Sequence, residues 1–298
     1  MSAMERKKTA VALGLFDGVH LGHRAVLGAA YAQSKNGLIP SAFTFEPRSV
    51  LRKAGGSSGY IYGQRAKIRL LNECGIERTD FPPFDTVCGL SGEEFALRIL
   101  HERMNAAYVC CGNDFRFGRD ASCGAQELIG FGKRYGFEVE VVDSVKLDGE
   151  TVSSSRIREL LLSGDIAAAN SLLGSAYFIN ATVTDGNHIG RTIDFPTINQ
   201  DFAEGQLVPR YGVYSTLANV GGEVLPSVTN VGIKPTVGGV RRPLAETHII
   251  GYSGDLYGKS VDVSFAGFIR PEKKFGSLDE LKAQIAADIM RAREQRTT

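Results

Sequence analysis

Residues 9–23 read Thr-Ala-Val-Ala-Leu-Gly-Leu-Phe-Asp-Gly-Val-His-Leu-Gly-His, and the change of pattern inside this stretch decides the fold of the first half of the chain. The apolar run over residues 11–16 reads as a buried strand, and a helical period begins directly after the glycine-rich turn. Glycines at 14, 18 and 22 let a backbone approach a phosphate closely, while the helix start offers unpaired N–H groups and the positive end of its dipole. His20 and His23, three residues apart, can face one ligand from the first turn and donate to phosphate oxygens. Their spacing is tighter than that of a usual zinc pair, and no third ligand stands nearby. Taken alone, the pair also fits two satisfied histidines at a helix start.

The alternation continues outward from that turn. Strand-like runs at residues 39–45, 107–111 and 137–142 are separated by amphipathic stretches at 24–34, 63–72, 93–104 and 125–135. Such alternation predicts a mostly parallel α/β sheet whose ligands sit beyond the carboxyl ends of the strands. Another helix is read at 155–162, with serines ahead of it as caps. After about Leu173, β-branched and aromatic runs at 177–184, 212–220, 225–231, 247–252 and 260–268 have the spacing of an antiparallel barrel. One helix closes the chain. Ser277 with Glu280 is a capping-box pattern, and Leu278, Leu281, Ile285 and Ile289 repeat along one face.

A length of 298 residues suits about two domains, and 43% hydrophobic with 22% charged residues excludes general disorder. Lys+Arg 34 against Asp+Glu 33 leaves a net charge of +1, so no global field draws the chain to nucleic acid or an anionic membrane. Phosphate binding must then be local. The five cysteines, Cys74, Cys88, Cys110, Cys111 and Cys123, include no CxxC pair and point to a reduced, cytoplasmic setting. No segment reaches the ~18–20 apolar residues of a membrane span, and Gly14 and Asp17 interrupt the N-terminal apolar run before a signal-peptide core forms. Two phosphate-loop look-alikes are set aside. Residues 254–260 fall one residue short of a Walker A loop and lead into a strand, and Gly130, Gly132 and Gly136 miss the GxGxxG spacing inside a helical pattern.

His20-Leu21-Gly22-His23 after the first strand resembles the HxGH signature of the nucleotidylyltransferase superfamily, and Ser153-Ser154-Ser155-Arg156-Ile157-Arg158 resembles its second motif. Between them, Gly112-Asn113-Asp114-Phe115-Arg116-Phe117-Gly118 is similar to the GxDFRFG segment of prokaryotic FAD synthetases. In the second half, Gly190-Arg191, Phe195-Pro196-Thr197-Ile198-Asn199, Gly212-Val213-Tyr214, Asn230-Val231-Gly232, Glu246-Thr247-His248 and Leu256-Tyr257-Gly258 follow the order of riboflavin kinase segments. From about Thr9 to Arg291 the chain resembles the bifunctional riboflavin kinase/FMN adenylyltransferase family.

This resemblance implies a Rossmann-like α/β nucleotidylyltransferase domain over residues 1–175. Residues 176–298 are expected to form a riboflavin kinase-like antiparallel β-barrel with a terminal helix. The implied chemistry is ATP-dependent phosphorylation of riboflavin to FMN, releasing ADP, then adenylylation of FMN to FAD, releasing pyrophosphate, with Mg²⁺ serving both steps. His20 and His23 are expected to stabilise the α-phosphate, with Ser153, Ser154, Ser155, Arg156 and Arg158 on the leaving pyrophosphate. Gly14, Phe16, Asp17, Gly18, Gly22, Asn113 and Asp114 are expected around the nucleotide, and Phe115, Arg116, Phe117 and Arg270 against the flavin. Gly190, Arg191, Thr197 and Asn199 are expected to hold ATP, Thr197 and Asn199 also as Mg²⁺ ligands, and Glu246 to take the proton of the ribityl hydroxyl.

His248 is expected to be a packed or hydrogen-bonded strand histidine. Leu15 stands where the family usually has Asn, and Arg48-Ser49 stands in place of a His-Pro pair, both beside the expected adenylyl site. Two other readings stay open: a riboflavin kinase whose first domain has lost or altered its transfer, and a non-catalytic flavin-binding regulatory protein. Neither a nucleic-acid nor a membrane partner is expected, and the sequence leaves the oligomeric state open.

Overall fold

The computed structural model describes residues 7–47, 59–184, 195–235 and 241–294. The chain forms two compact units, Met1–Ser154 and Ser155–Thr298.

In the first unit, β1 (Thr9–Leu13) is apolar enough to be buried along its whole length, so it takes the centre of the sheet. Helix α1 (Leu21–Ala32) returns the chain to β2 (Ile39–Phe43), and α2 (Gln64–Glu73) leads to β3 (Arg78–Asp80). Helix α3 (Gly92–Glu94) continues as a π-helix over Phe95–Arg103 into β4 (Ala106–Gly112), and α4 (Ala125–Tyr135) precedes β5 (Glu138–Val142). The strand order is β3-β2-β1-β4-β5, with every neighbouring pair parallel. The order reverses at β1, which makes a ligand crevice beyond its carboxyl end. Val11 and Leu13 pack with Phe43, Leu100, Val109 and Leu128 on one face of the sheet. Each such side chain contributes about 1.5–3 kcal/mol by leaving water. On α4, Gly130 and Gly132 lie within the helix and Gly136 is its left-handed C-cap, so this glycine cluster is structural. A short hairpin, β6 (Lys146–Leu147) with β7 (Glu150–Thr151), follows.

The second unit begins with α5 (Ser154–Ser163), whose first residue belongs to the first unit, and α6 (Ile166–Leu173), which Asp165 caps. Six strands form a closed antiparallel barrel in the order β10-β11-β12-β9-β8-β13. They are β8 (Phe178–Thr184), β9 (Ile198–Asp201), β10 (Gly212–Val220), β11 (Glu223–Pro235), β12 (Arg241–Ile249) and β13 (Ser260–Arg270). Tyr214, Val231, Ala245, Val263 and Phe265 fill its interior. Buried hydroxyls there satisfy one another, with Thr216 bonded to Ser227 and Thr229, and Thr229 to Thr247, each at 2.8 Å.

Helix α7 (Leu278–Glu294) packs on the outer face at Val213 and Val228 through Ala292 and Ile289. Its buried stripe departs from the expected one. Leu278 is 59% exposed, whereas Asp288 and Ala292 are buried, because Asp288 pairs with Arg270 from β13. The sequence reading also passed over α6 and over β3 and β9, strands too short to show a period.

Candidate functional site

The turn after β1 is a strained backbone segment. Phe16 (φ 48°), Gly18 (φ 89°) and Val19 (φ 44°) all lie in the left-handed region, which side chains at 16 and 19 enter at a cost. Phe16 is fully buried beneath it. Gly14 makes room for that ring, since a Cβ there would come within 2.9 Å of Phe16 Cε1.

His20 is the N-cap of α1, and its Nδ1 accepts the His23 N–H at 3.3 Å. In the neutral ring this makes Nε2 the nitrogen that carries the proton. The two imidazoles stack at 3.6 Å, and Phe16 meets His23 edge-on at 5.4 Å. The histidines, the helix start and the turn are therefore one assembly, as their spacing suggested.

Asp17 is buried, and its carboxylate accepts the Ile61 N–H at 2.9 Å, so it organises the turn's surroundings. Its carbonyl accepts the Ser154 hydroxyl at 2.8 Å, which ties the serine-rich motif to the turn. Ser155 is exposed, Ser153 and Arg156 are half-buried, and Arg158 is buried. Arg156 and Arg158 belong to the second unit.

The segment after β4 divides its residues between core and surface. Phe117 joins the hydrophobic core, stacked on Phe115 at 5.7 Å, while Asp114 and Arg116 are exposed. Arg116 Nε donates to the Ala121 carbonyl at 3.0 Å, and Asn113 accepts the Ser144 hydroxyl at 2.9 Å.

A group that the sequence reading missed lies beneath the turn. Lys67 on α2 is 2% exposed, and its Nζ donates to the Leu15 carbonyl at 2.5 Å, the Thr44 hydroxyl at 2.7 Å and the Phe45 carbonyl at 3.0 Å. Burial pushes its pKa down to about 7, against an opposing pull from the Asp17 carboxylate. The signal was present in the helix pattern. Lys67 falls among Ala66, Leu70 and Leu71 on the core face, where an unpaired lysine has no place.

In the second unit the register of the barrel assembles the site. Glu246 on β12 lies directly opposite Asn199 on β9 and Asn230 on β11, so the three side chains share a face. Asn199 is 5% exposed, and among the described residues its Oδ1 has no hydrogen-bond partner. A buried, unsatisfied carboxamide oxygen suits an oxygen-seeking cation. Among the described residues no three His, Cys, Asp or Glu side chains cluster, so a closed all-protein metal cage is not present there.

Thr197 lines a cleft of about 440 Å³ together with Ile198, Thr247, Tyr252 and Leu256. The Walker-like Gly254 and Tyr257 belong to the same wall. His248 Nδ1 donates to the Pro196 carbonyl at 2.8 Å and meets Phe195 edge-on, which fixes the turn carrying Thr197. Gly190 and Arg191 lie outside the described residues, as do Arg48 and Ser49.

Beyond β13, Glu272 accepts from Asn230 Nδ2 at 3.3 Å and lies over Gly232, where any Cβ would overlap its carboxylate. Arg270 donates through Nε and Nη2 to Asp288 at 3.0 and 2.8 Å and through Nη1 to the Pro271 carbonyl. Its guanidinium thus anchors α7.

The FAD synthetase family matches residues 2–156 and the riboflavin kinase family matches residues 173–296. The bifunctional riboflavin kinase/FMN adenylyltransferase of Escherichia coli K12 is 35% identical, over 99% of this chain and 95% of the relative. The Bacillus subtilis protein of the same name is 33% identical, over 97% and 92%. A solved structure from Streptococcus pneumoniae, described as a macrolide-efflux protein, superposes with a TM-score of 0.83 at 29% identity, covering 97% of this chain and 95% of that one. Its name differs from those of the curated relatives, and the likeness carried over from it is the fold. Among the described residues no helix is long and apolar enough to cross a membrane.

Proposed function

The chain belongs to the bifunctional riboflavin kinase/FMN adenylyltransferase family, and from that membership we infer that it phosphorylates riboflavin with ATP to give FMN and then adenylylates FMN to FAD. We assign the adenylyl transfer to residues 1–175 and the kinase to residues 176–298. One observation carries the reading: each half of the chain matches its own family, FAD synthetase over residues 2–156 and riboflavin kinase over residues 173–296.

In the adenylyl step, an FMN phosphate oxygen attacks the α-phosphorus of ATP and the bond to pyrophosphate breaks. The chain supplies no nucleophile. Gly14, whose own N–H is donated to the Phe43 carbonyl, leaves room for the Phe16 ring. The turn over Phe16, Gly18 and Gly22 and the start of α1 are assigned to present N–H groups to the phosphates, with His20 Nε2–H and His23 stabilising the charge that develops. Ser153, Ser154, Ser155, Arg156 and Arg158 are assigned to the pyrophosphate, Asn113 and Asp114 to the nucleotide, and Phe115 and Arg116 to the flavin. Asp17 and Phe117 support these groups from below, through Ile61 and the core.

In the kinase step, the ribityl hydroxyl oxygen attacks the γ-phosphorus, ADP leaves, and Glu246 takes the hydroxyl proton. Asn199 and Asn230 flank Glu246 and hold reacting groups in register with it. Thr197 and Asn199 are assigned to Mg²⁺, and Asn199 Oδ1 is the atom whose state fits that role. When bound, Mg²⁺ neutralises phosphate charge that the two uncharged side chains cannot. Gly190 and Arg191 are assigned to the same nucleotide, and Arg270 acts on the flavin side by fixing α7.

Nothing in the fold or the comparisons favours an inactive first domain or a purely regulatory protein. The five cysteines, all between Cys74 and Cys123, are free thiols, which accords with a cytoplasmic setting. The test is incubation with riboflavin, ATP and Mg²⁺ followed by chromatography. FMN followed by FAD, with ADP and pyrophosphate, is expected. Formation of neither FMN nor FAD contradicts the reading, and FMN without FAD contradicts its adenylyl-transfer part.

A further inference from the structure

A buried lysine is costly, because folding strips its ammonium of water and restores only what its partners supply. All three polar partners of Lys67 lie on segments that bound the adenylyl site. Leu15 belongs to the strained turn, while Thr44 and Phe45 extend β2 past its carboxyl end. The Thr44 hydroxyl itself donates to the Leu15 carbonyl at 2.9 Å, which closes a small network around one ammonium group. The Phe81 ring covers the ammonium at 5.6 Å. None of these contacts is to α2 itself.

We propose that Lys67 is a positioning residue for adenylyl transfer: its ammonium pins the Gly14–Asp17 backbone to the end of β2, and so holds the turn and the His20 cap where the α-phosphate reacts. The interaction uses the backbone carbonyl of residue 15, so it is indifferent to the Leu15 side chain. It rests on the adenylyltransferase reading of the first unit.

The charge that acts on Lys67 from the turn is Asp17. The β2 extension presents the Thr44 hydroxyl and the Phe45 carbonyl, and Phe81 presents its ring. The amine titrates near neutrality. Once it loses its proton it offers two N–H groups to three acceptors, so the turn loosens on the alkaline side.

The test uses the full-length chain with Lys67→Met and Lys67→Arg, supplying FMN with ATP for one assay and riboflavin with ATP for the other. Lys67→Met is expected to lower kcat of FAD formation by about 10- to 100-fold with a smaller change in KM, as a displaced reacting geometry does. FMN formation by the same chain stays unchanged. Lys67→Arg, which keeps its charge at every pH used, is expected to restore most of the rate and remove the alkaline decline seen in the parent chain. Amide hydrogen exchange at residues 14–20, which needs no turnover, is expected to quicken in Lys67→Met. A Lys67→Met chain with parental kcat and parental exchange overturns the proposal. A loss that Lys67→Arg leaves wholly unrelieved does so too. A parental chain that makes no FAD fails the functional reading instead, and the exchange result still stands as the test of the pinning contact.

Discussion

In the first unit the turn after β1 combines three residues with positive φ, a histidine cap and a buried ammonium, all within reach of the end of β1. In the second unit no unusual backbone is needed, because the barrel register alone lines up Asn199, Glu246 and Asn230 on adjacent strands. The first arrangement concentrates strain in a short segment and needs support from beneath it. The second spreads its cost over a ladder that the barrel forms anyway. A site of the first kind is sensitive to its supports, and one of the second kind to the side chains themselves.

That difference can be broken at its strongest point first. Glu246→Gln keeps shape and register but removes the proton acceptor, so FMN formation is expected to fall by about 10²- to 10⁴-fold while FAD formation from supplied FMN holds, as chromatography of the two assays would show. His20→Ala is the mirror case. It removes both the cap and the N–H donor, with an expected loss of about 10²- to 10³-fold in FAD formation alone.

Next comes the support of the barrel. Asp288→Ala leaves the Arg270 guanidinium half-buried without its carboxylate, and the second unit is expected to lose about 3–5 kcal/mol in denaturant unfolding while the transition of the first is unmoved.

A smaller effect sharpens the account of the turn. The Lys67 pKa of about 7 lies below its unfolded value, so above pH 7 the unfolded chain binds a proton that the folded one does not. The first unit therefore gains stability as the pH rises from about 7 towards 10.5, by about 1 kcal/mol per unit, and loses that gain as the pH falls back through 7. The parent-minus-Lys67→Met difference in unfolding free energy, measured at pH 7 and pH 9, isolates this term. Smallest is His248→Ala, which releases one hydrogen bond to Pro196. A rise in the KM for ATP of up to about tenfold, with kcat of FMN formation less affected, is the expected result.

The same contrast explains what was legible in the sequence. The turn and its histidines are contiguous, so their spacing reveals the strand-to-helix change that β1 and α1 show. Glu246 is singled out by its motif, yet its neighbours Asn199 and Asn230 meet it only through strand register, which no local pattern records. The short strands β3 and β9 lack the length for a period to show. The pairing of Arg270 with Asp288 was hidden because Asp288 reads as an exposed helix residue until β13 is placed beside it. Lys67 was visible as a misplaced charge on an apolar face, but its partners lie 22 to 52 residues away.

On the proposed reading this one chain carries two phosphate-transfer sites, each working without the chemistry of the other. The most direct measurement mixes Glu246→Gln and His20→Ala chains in equal amounts with riboflavin, ATP and Mg²⁺. Each chain alone is expected to make little or no FAD from riboflavin. Together they are expected to form FAD after a lag in which FMN accumulates, the His20→Ala chain supplying FMN and the Glu246→Gln chain consuming it. A mixture that forms FMN but no more FAD than the separate chains contradicts the account.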